Sequence, residues 1–372
     1  MLILRILLPI ILSSFMAVAA TSANACNDLS GGPQDPYHNT HAAFYDPEAD
    51  VWTNGGDLRG IGFFSASTSR LPSGDFFVSG CGATYIYSPS AKHWTNIPHP
   101  VDEKNRTLST NGIVLIDEKT AFLTGQYENR RGTAYDIEKH SWIQLSKMRH
   151  RRGEVESIKL DDGRILVYGG GVYGRNIPAG VEVYNPATDK WKNVRAPFRG
   201  NSACRYAMTR LITGEILILG GTSDGGCWGA STRTGMIFDP LTNHIRLSAP
   251  MPIPRQSFTA TTLLDGLVLV AGGSTAGGPA LESDLYDPRT NTWTKVGSTA
   301  FHHSATDYHA IDSKGRVFLI GDASYKSSAP RVVEMYDPGT QTWSIRTPMP
   351  FVNRDTVVDL LSDGRFLVLG RY

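Results

Sequence analysis

The sequence predicts an all-β fold: a seven-bladed β-propeller whose last blade is closed by N-terminal strands pairing with C-terminal strands. Three observations carry this prediction. A half-motif recurs about every 50 residues, apolar runs end repeatedly in glycine, and each chain end holds only one half of the repeat.

The recurring half-motif is an aromatic residue, Asp-Pro or a close variant, a short polar turn and a tryptophan. It reads Tyr45-Asp46-Pro47 to Trp52, Tyr87-Ser88-Pro89 to Trp94, Tyr135-Asp136-Ile137 to Trp142 and Tyr184-Asn185-Pro186 to Trp191. It continues as Phe238-Asp239-Pro240 to Ile245, Tyr286-Asp287-Pro288 to Trp293 and Tyr336-Asp337-Pro338 to Trp343. With Ile245 counted in the tryptophan slot, successive positions differ by 42, 48, 49, 54, 48 and 50 residues. Asp-Pro and the polar residues after it favour a tight turn, so each half-motif predicts an outer hairpin.

The second half-motif precedes the first. A polar turn with glycine leads into an apolar run, as in Gly163-Arg164-Ile165-Leu166-Val167-Tyr168-Gly169 and Gly214-Glu215-Ile216-Leu217-Ile218-Leu219-Gly220. Gly266 to Gly272 and Gly315 to Gly321 repeat the pattern. A near-continuous apolar run of this length predicts a strand buried on both faces, between neighbouring blades.

The ends set the blade count. Residues 42–52 form an outer half-motif alone, and residues 363–370 form an inner one alone. Each half leaves raw strand edges and an uncovered face. Paired, they make one complete blade, which added to six whole repeats gives seven.

Composition agrees. The 38 Gly, 21 Pro and 10% aromatic residues suit many short strands with frequent turns. Basic and acidic residues number 36 and 35, so the chain lacks the charge excess expected for nucleic acid or an anionic membrane surface. Residues 1–25 read as a signal peptide: Arg5, apolar residues 6–12 and 15–20, then Ala23-Asn24-Ala25 as a small-residue cleavage site. The expectation is export to the periplasm or beyond the cell, with no membrane span after processing. Residues 26–41 are then an N-terminal tail and residues 42–372 the propeller domain. Cys26 would become the first residue, although Ala23 and Asn24 fit the lipoprotein pattern poorly.

Cys26, Cys81, Cys204 and Cys227 permit two disulfides in three connectivities. Cys204 and Cys227 belong to one repeat and could meet at its top, and Cys26–Cys81 would then tie down the tail. No two cysteines have close metal-ligand spacing.

The two half-motifs, recurring in phase from residue 42 to the end, resemble the kelch superfamily. That resemblance implies a propeller but leaves function open, because kelch propellers include both binding scaffolds and enzymes. Galactose oxidase and its radical-copper relatives are similar in blade number and repeat form, and their site needs two tyrosines, two histidines and a cross-linked cysteine. This sequence departs from that set. Glu154 stands where a ligand tyrosine is expected, Tyr308-His309 lies too close to Gly315, and Arg354-Asp355-Thr356 contains no histidine. Periplasmic sialic-acid epimerases of the kelch type are similar in export and repeat form.

The short Asp-Gly and Asp-Pro turns are expected on one face of the disc, and the longer loops on the other. The longer loops are residues 125–133, 171–180, 222–234, 274–281 and 323–331. Function concentrates in loops held by a rigid frame. Trp228 in the longest of them is suited to stacking on a sugar ring or to plugging a neighbouring loop.

Segments entering the inner strands bring Arg106, Arg152, Arg205, Tyr206, Arg255, His303, Tyr308 and Arg354 toward the channel mouth, as candidate ligand-binding residues. Converging guanidinium groups could grip a carboxylate or sulfate. Yet Arg152 and Arg255 stand equally far before Gly163 and Gly266, which argues for a repeated structural duty. Kelch inner strands commonly start near an Arg that bonds backbone carbonyls and pairs with carboxylates. In the segment from His302 to His309, strand alternation would split the histidines between two faces, against a shared metal ion.

The expected function is therefore exported recognition of a glycan or protein partner through the loop face, by a monomer without a cofactor. The alternative is a sugar-active enzyme on acidic carbohydrate, of epimerase, mutarotase or lyase type. Glu154, Asp307 or His309 would then move protons. A metal-dependent oxidase is the third reading.

Overall fold

The computed structural model describes residues 40–58, 67–80, 83–100, 111–124, 130–150, 152, 155–169, 180–195, 204–223, 229–303, 309–321, 331–351 and 354–371. Among them are seven four-stranded antiparallel sheets and one small hairpin, Ser274–Thr275 with Gly278–Pro279. In chain order, six blades occupy residues 67–97, 111–147, 155–194, 206–247, 259–296 and 309–345. Each runs from an innermost strand outward by consecutive hairpins. Blade 4 shows the plan: Tyr206–Arg210, Ile216–Gly220, Gly235–Asp239 and His244–Leu247.

The seventh blade is built from both chain ends. Arg354–Leu360 is innermost, then Phe366–Arg371, Thr40–Asp46 and Val51–Leu58. Tyr45 lies opposite Phe366, Phe44 opposite Leu367, Ala43 opposite Val368 and Ala42 opposite Leu369. The expected closure is therefore present with its register.

Burial follows the two half-motifs. The second strand of a blade is buried along its length, as in Ile165–Gly169, because both its faces meet other blades. One cluster joins Ile158, Leu166 and Tyr168 of blade 3 to Tyr206, Ile216 and Ile218 of blade 4. Another joins Leu367 and Leu369 of the closing blade to Phe76 and Val78 of blade 1. The core is thus a ring of seams rather than one central mass.

The outer half-motif makes a second seam. The residue five places after its aromatic is left-handed in every repeat: Asp50, Lys92, His140, Asp189, Asn243, Asn291 and Gln341, with φ between 49° and 57°. Three of these also grip the preceding blade. Asp189 Oδ1 accepts hydrogen bonds from the Tyr184 hydroxyl (2.9 Å) and the Ser146 amide (2.9 Å), while Trp191 Nε1 donates to the Ser146 carbonyl (3.0 Å). Asn291 and Trp293 hold Ala249 in the same way. Asp50 and Trp52 hold Thr347. Ile245, in the tryptophan slot of blade 4, has no ring N–H to offer and is buried instead.

Glycine is required where blades approach closely. Gly169 has φ 85°, and a Cβ there would stand 2.5 Å from the Tyr206 ring. The short turns share one side of the disc, as expected. Arg164, beside the turn at Gly163, donates to the Pro240 carbonyl and the Asn243 side chain in the Asp-Pro turn of blade 4.

Candidate functional site

On the opposite side, connections between blades descend into the innermost strands, and in blades 3, 5 and 6 the connection is tied down by a carboxylate from the third strand of the blade it enters. In blade 3, Glu182 accepts hydrogen bonds from the amides of Arg149 (2.8 Å) and His150 (3.3 Å) and from the Arg152 guanidinium (2.9 Å). Arg152 also donates to the Gly169 carbonyl at 2.5 Å. In blade 6 the same roles recur three residues apart: Glu334 accepts from the amides of Ala300 (2.8 Å) and Phe301 (3.0 Å), and His303 Nε2 lies 2.9 Å from it. In blade 5, Arg255 pairs with Asp284 at 2.8 Å and donates to the Gly272 carbonyl at 3.0 Å.

These pairs are buried: Arg152 is 1% exposed and Arg255 0%. Burial pulls the Arg255 guanidinium below its ordinary value, and the Asp284 carboxylate opposes that shift. A desolvated ion pair of this kind is retained only with good geometry and further hydrogen bonds, which the glycine carbonyls and backbone amides supply. Arg152 and Arg255 therefore perform the repeated duty that their equal spacing suggested. His303 occupies the arginine position in blade 6.

Over blades 4 and 5 the loop side is stitched laterally. Thr222 bridges to Ser231, Thr232 to Arg255, and Gln256 to Ser274. Arg205 and Ser257, each nine residues before its turn glycine, are both left-handed (φ 58° and 53°), and the Ser257 amide donates to the Arg205 carbonyl at 2.8 Å. Strained backbone of this kind persists where surrounding bonds over-determine it. Hydroxyl and amide side chains predominate here: Ser231, Thr232, Gln256, Ser257, Ser274 and Thr275 are part-exposed, with His302 Nε2 beside the Gly273 carbonyl (3.1 Å).

Tyr206 is fully buried at the seam of blades 3 and 4. Its hydroxyl accepts from the Glu156 amide (2.9 Å) and donates to the Tyr168 carbonyl (2.7 Å), and burial pushes its pKa well up. His309 opens the innermost strand His309–Ile311 and is half-buried, whereas His303 lies in the entry segment before it. Residues 304–308, between the two, lie outside the described residues, and with them the alternation expected along this segment. Arg354 begins the innermost strand of the closing blade. Arg106, Glu154, Trp228, Asp307, Tyr308, Cys26, Cys81 and Cys227 lie outside the described residues.

Two sets of residues escaped the sequence reading. The anchoring acids carry a signal, since Glu182, Asp284 and Glu334 each stand two residues before the repeat tyrosine. Asp359 carries none. It is buried in the innermost strand of the closing blade, accepts from Thr68 Oγ1 (3.1 Å) and its neighbour's amide, Leu360 (2.8 Å), and is pushed up to about 6 by burial.

Comparison with known proteins agrees with this geometry. The Kelch motif model matches residues 160–197, which hold the three outer strands of blade 3 and its anchoring Glu182. Kelch-like protein 36 of Bos taurus is 25% identical over 226 residues, 58% of this chain and 35% of that protein. Beta-scruin of Limulus polyphemus is 28% identical over 208 residues, 53% of this chain and 22% of that protein. The chain thus spans about a third, or less, of the length of these relatives. Among solved structures, that of YjhT superposes with a TM-score of 0.51 at 14% identity, over 73% of this chain and 94% of that one, a likeness of fold. Repeat, blade plan and matches converge on one conclusion: the chain belongs to the kelch-repeat β-propeller superfamily.

Proposed function

We propose that this propeller is an exported recognition protein that offers its loop side to a protein partner, with a glycan as the other ligand class. Kelch propellers generally mediate protein–protein interactions. The observation that carries the reading is the frame beneath the loops. Two cations of the entry segments, Arg152 and Arg255, are paired with internal carboxylates beneath a laterally bridged surface over blades 4 and 5 that carries hydroxyls, amides and the part-exposed Arg205. A rigid frame carrying adaptable polar groups suits binding, because little ordering accompanies association.

Export rests on the N-terminal pattern of residues 1–25, and a Cys204–Cys227 bridge fits with it. Cys204 is fully buried beside the innermost strand of blade 4, a setting that suits a bridged sulfur. A sugar-active enzyme is the second reading, favoured by His309 at the head of an innermost strand, where an imidazole could transfer protons.

The test is a binding screen of residues 26–372 against glycan arrays and candidate exported proteins, alongside anomeric-exchange NMR with acidic monosaccharides. Recognition through the loop side predicts that Arg205→Ala weakens the ligand found by about tenfold, while Asp363→Ala on the turn side leaves it unchanged. Equal effects from both substitutions would reject the loop side. Turnover abolished by His309→Ala would favour the enzyme.

A further inference from the structure

Each innermost strand runs into a short turn whose first residue donates its amide across the turn: Leu71, Ile116, Leu160, Leu211, Leu263, Asp312 and Leu361. The residue two places earlier faces the next blade wherever its contacts are described. Val114 packs on blade 3, Ile158 on blade 4 and Ala310 on the closing blade, while the Thr209 hydroxyl meets that of Thr262. Ser69 and Thr261 complete the neutral set. In the closing blade the position holds Asp359, a carboxylic acid.

Asp359 stands between Val357 and Leu361, which pack with Phe76 and Val78 of blade 1. Among the described groups, Thr68 and Arg70 face it from blade 1, and Leu360 supplies an amide from its own strand. Arg70 favours the ionised form, but it is only part-buried and burial outweighs it. The one ionisable side chain in this ring of positions thus lies in the seam between blade 1 and the blade made from the two chain ends.

We propose that Asp359 makes the closing seam a proton-sensitive latch, tight when its carboxyl is protonated and weakened when the carboxyl ionises. Its ordinary value is 3.8 and its value in the ring is about 6. The folded ring therefore holds the proton more tightly than the unfolded chain does. The associated stability is full below pH 3.8 and is lost as the pH rises through about 6.

The experiment compares urea unfolding of the full chain with Asp359→Asn at pH 4 and pH 8. The asparagine keeps an oxygen for Thr68 and cannot ionise. The stability of the variant relative to the natural chain should rise by on the order of 50-fold in the unfolding constant between the two values. A difference that is unchanged with pH overturns the latch. Should the variant not fold, a carboxyl carbon NMR titration of the natural chain decides. A midpoint near 6 supports the proposal and one near 4 refutes it.

Discussion

Asp189 and Ser146 come from adjoining blades, yet the Asp189 carboxylate accepts the Ser146 amide at 2.9 Å while Trp191, two residues on, donates to the Ser146 carbonyl at 3.0 Å. One peptide residue is held on both its polar groups by the neighbouring blade. The aspartate that does this also receives the Tyr184 hydroxyl and takes a left-handed backbone. The Tyr, the Trp and the residue between them are therefore one device, repeated at Asn291 and Asp50.

Asp189→Ala should remove both acceptor bonds and strain the turn, at a cost of about 2 kcal/mol. Asp189→Asn keeps an oxygen and tolerates the left-handed conformation, so it should stay within about 0.5 kcal/mol of the natural chain. Urea unfolding of the two variants separates the acceptor from the charge.

Removing Glu182 should be more damaging. Glu182→Ala leaves the buried Arg152 guanidinium without its carboxylate and two backbone amides without an acceptor, costing about 3–5 kcal/mol. Arg152→Met together with Glu182→Leu should recover part of that loss, because no buried charge then remains unpaired. A double-mutant cycle by thermal or urea unfolding measures the difference.

Gly169→Ala and Gly74→Ala distinguish backbone strain from collision. Both glycines have φ near 90°, but a Cβ at Gly74 meets nothing within 4 Å, whereas one at Gly169 strikes the Tyr206 ring. Gly74→Ala should cost about 1 kcal/mol and Gly169→Ala at least about 2 kcal/mol more.

Much of the fold was legible because it is periodic. Tyr45 facing Phe366 followed from two half-repeats, each with unpaired edges. Arg152 and Arg255 declared a shared duty by equal distance from a turn glycine. Their acceptors did not declare themselves, since an acid in an outer strand reads as a solvated side chain until the sheet folds it beneath the entry segment. Asp359 was illegible for a related reason: its meaning depends on Thr68, 291 residues away, across a seam. The loops carry no period at all. Trp228, Glu154 and Asp307 are therefore candidates on residue type alone, while the bridges Thr232–Arg255 and Gln256–Ser274 join segments that local sequence does not bring together.

The most direct measurement is a cross-link within the closing blade. Ala43 and Val368 are opposed residues of adjacent antiparallel strands and share one buried cluster. Directly opposed residues lie about 4.5–5.5 Å apart at Cα, within reach of a disulfide. A chain carrying Ala43→Cys and Val368→Cys, mapped by peptide mass spectrometry without reduction, should give an intrachain link between positions 43 and 368 in a monomer. Absence of that link, or its formation only between two chains, would contradict a ring closed by its own ends.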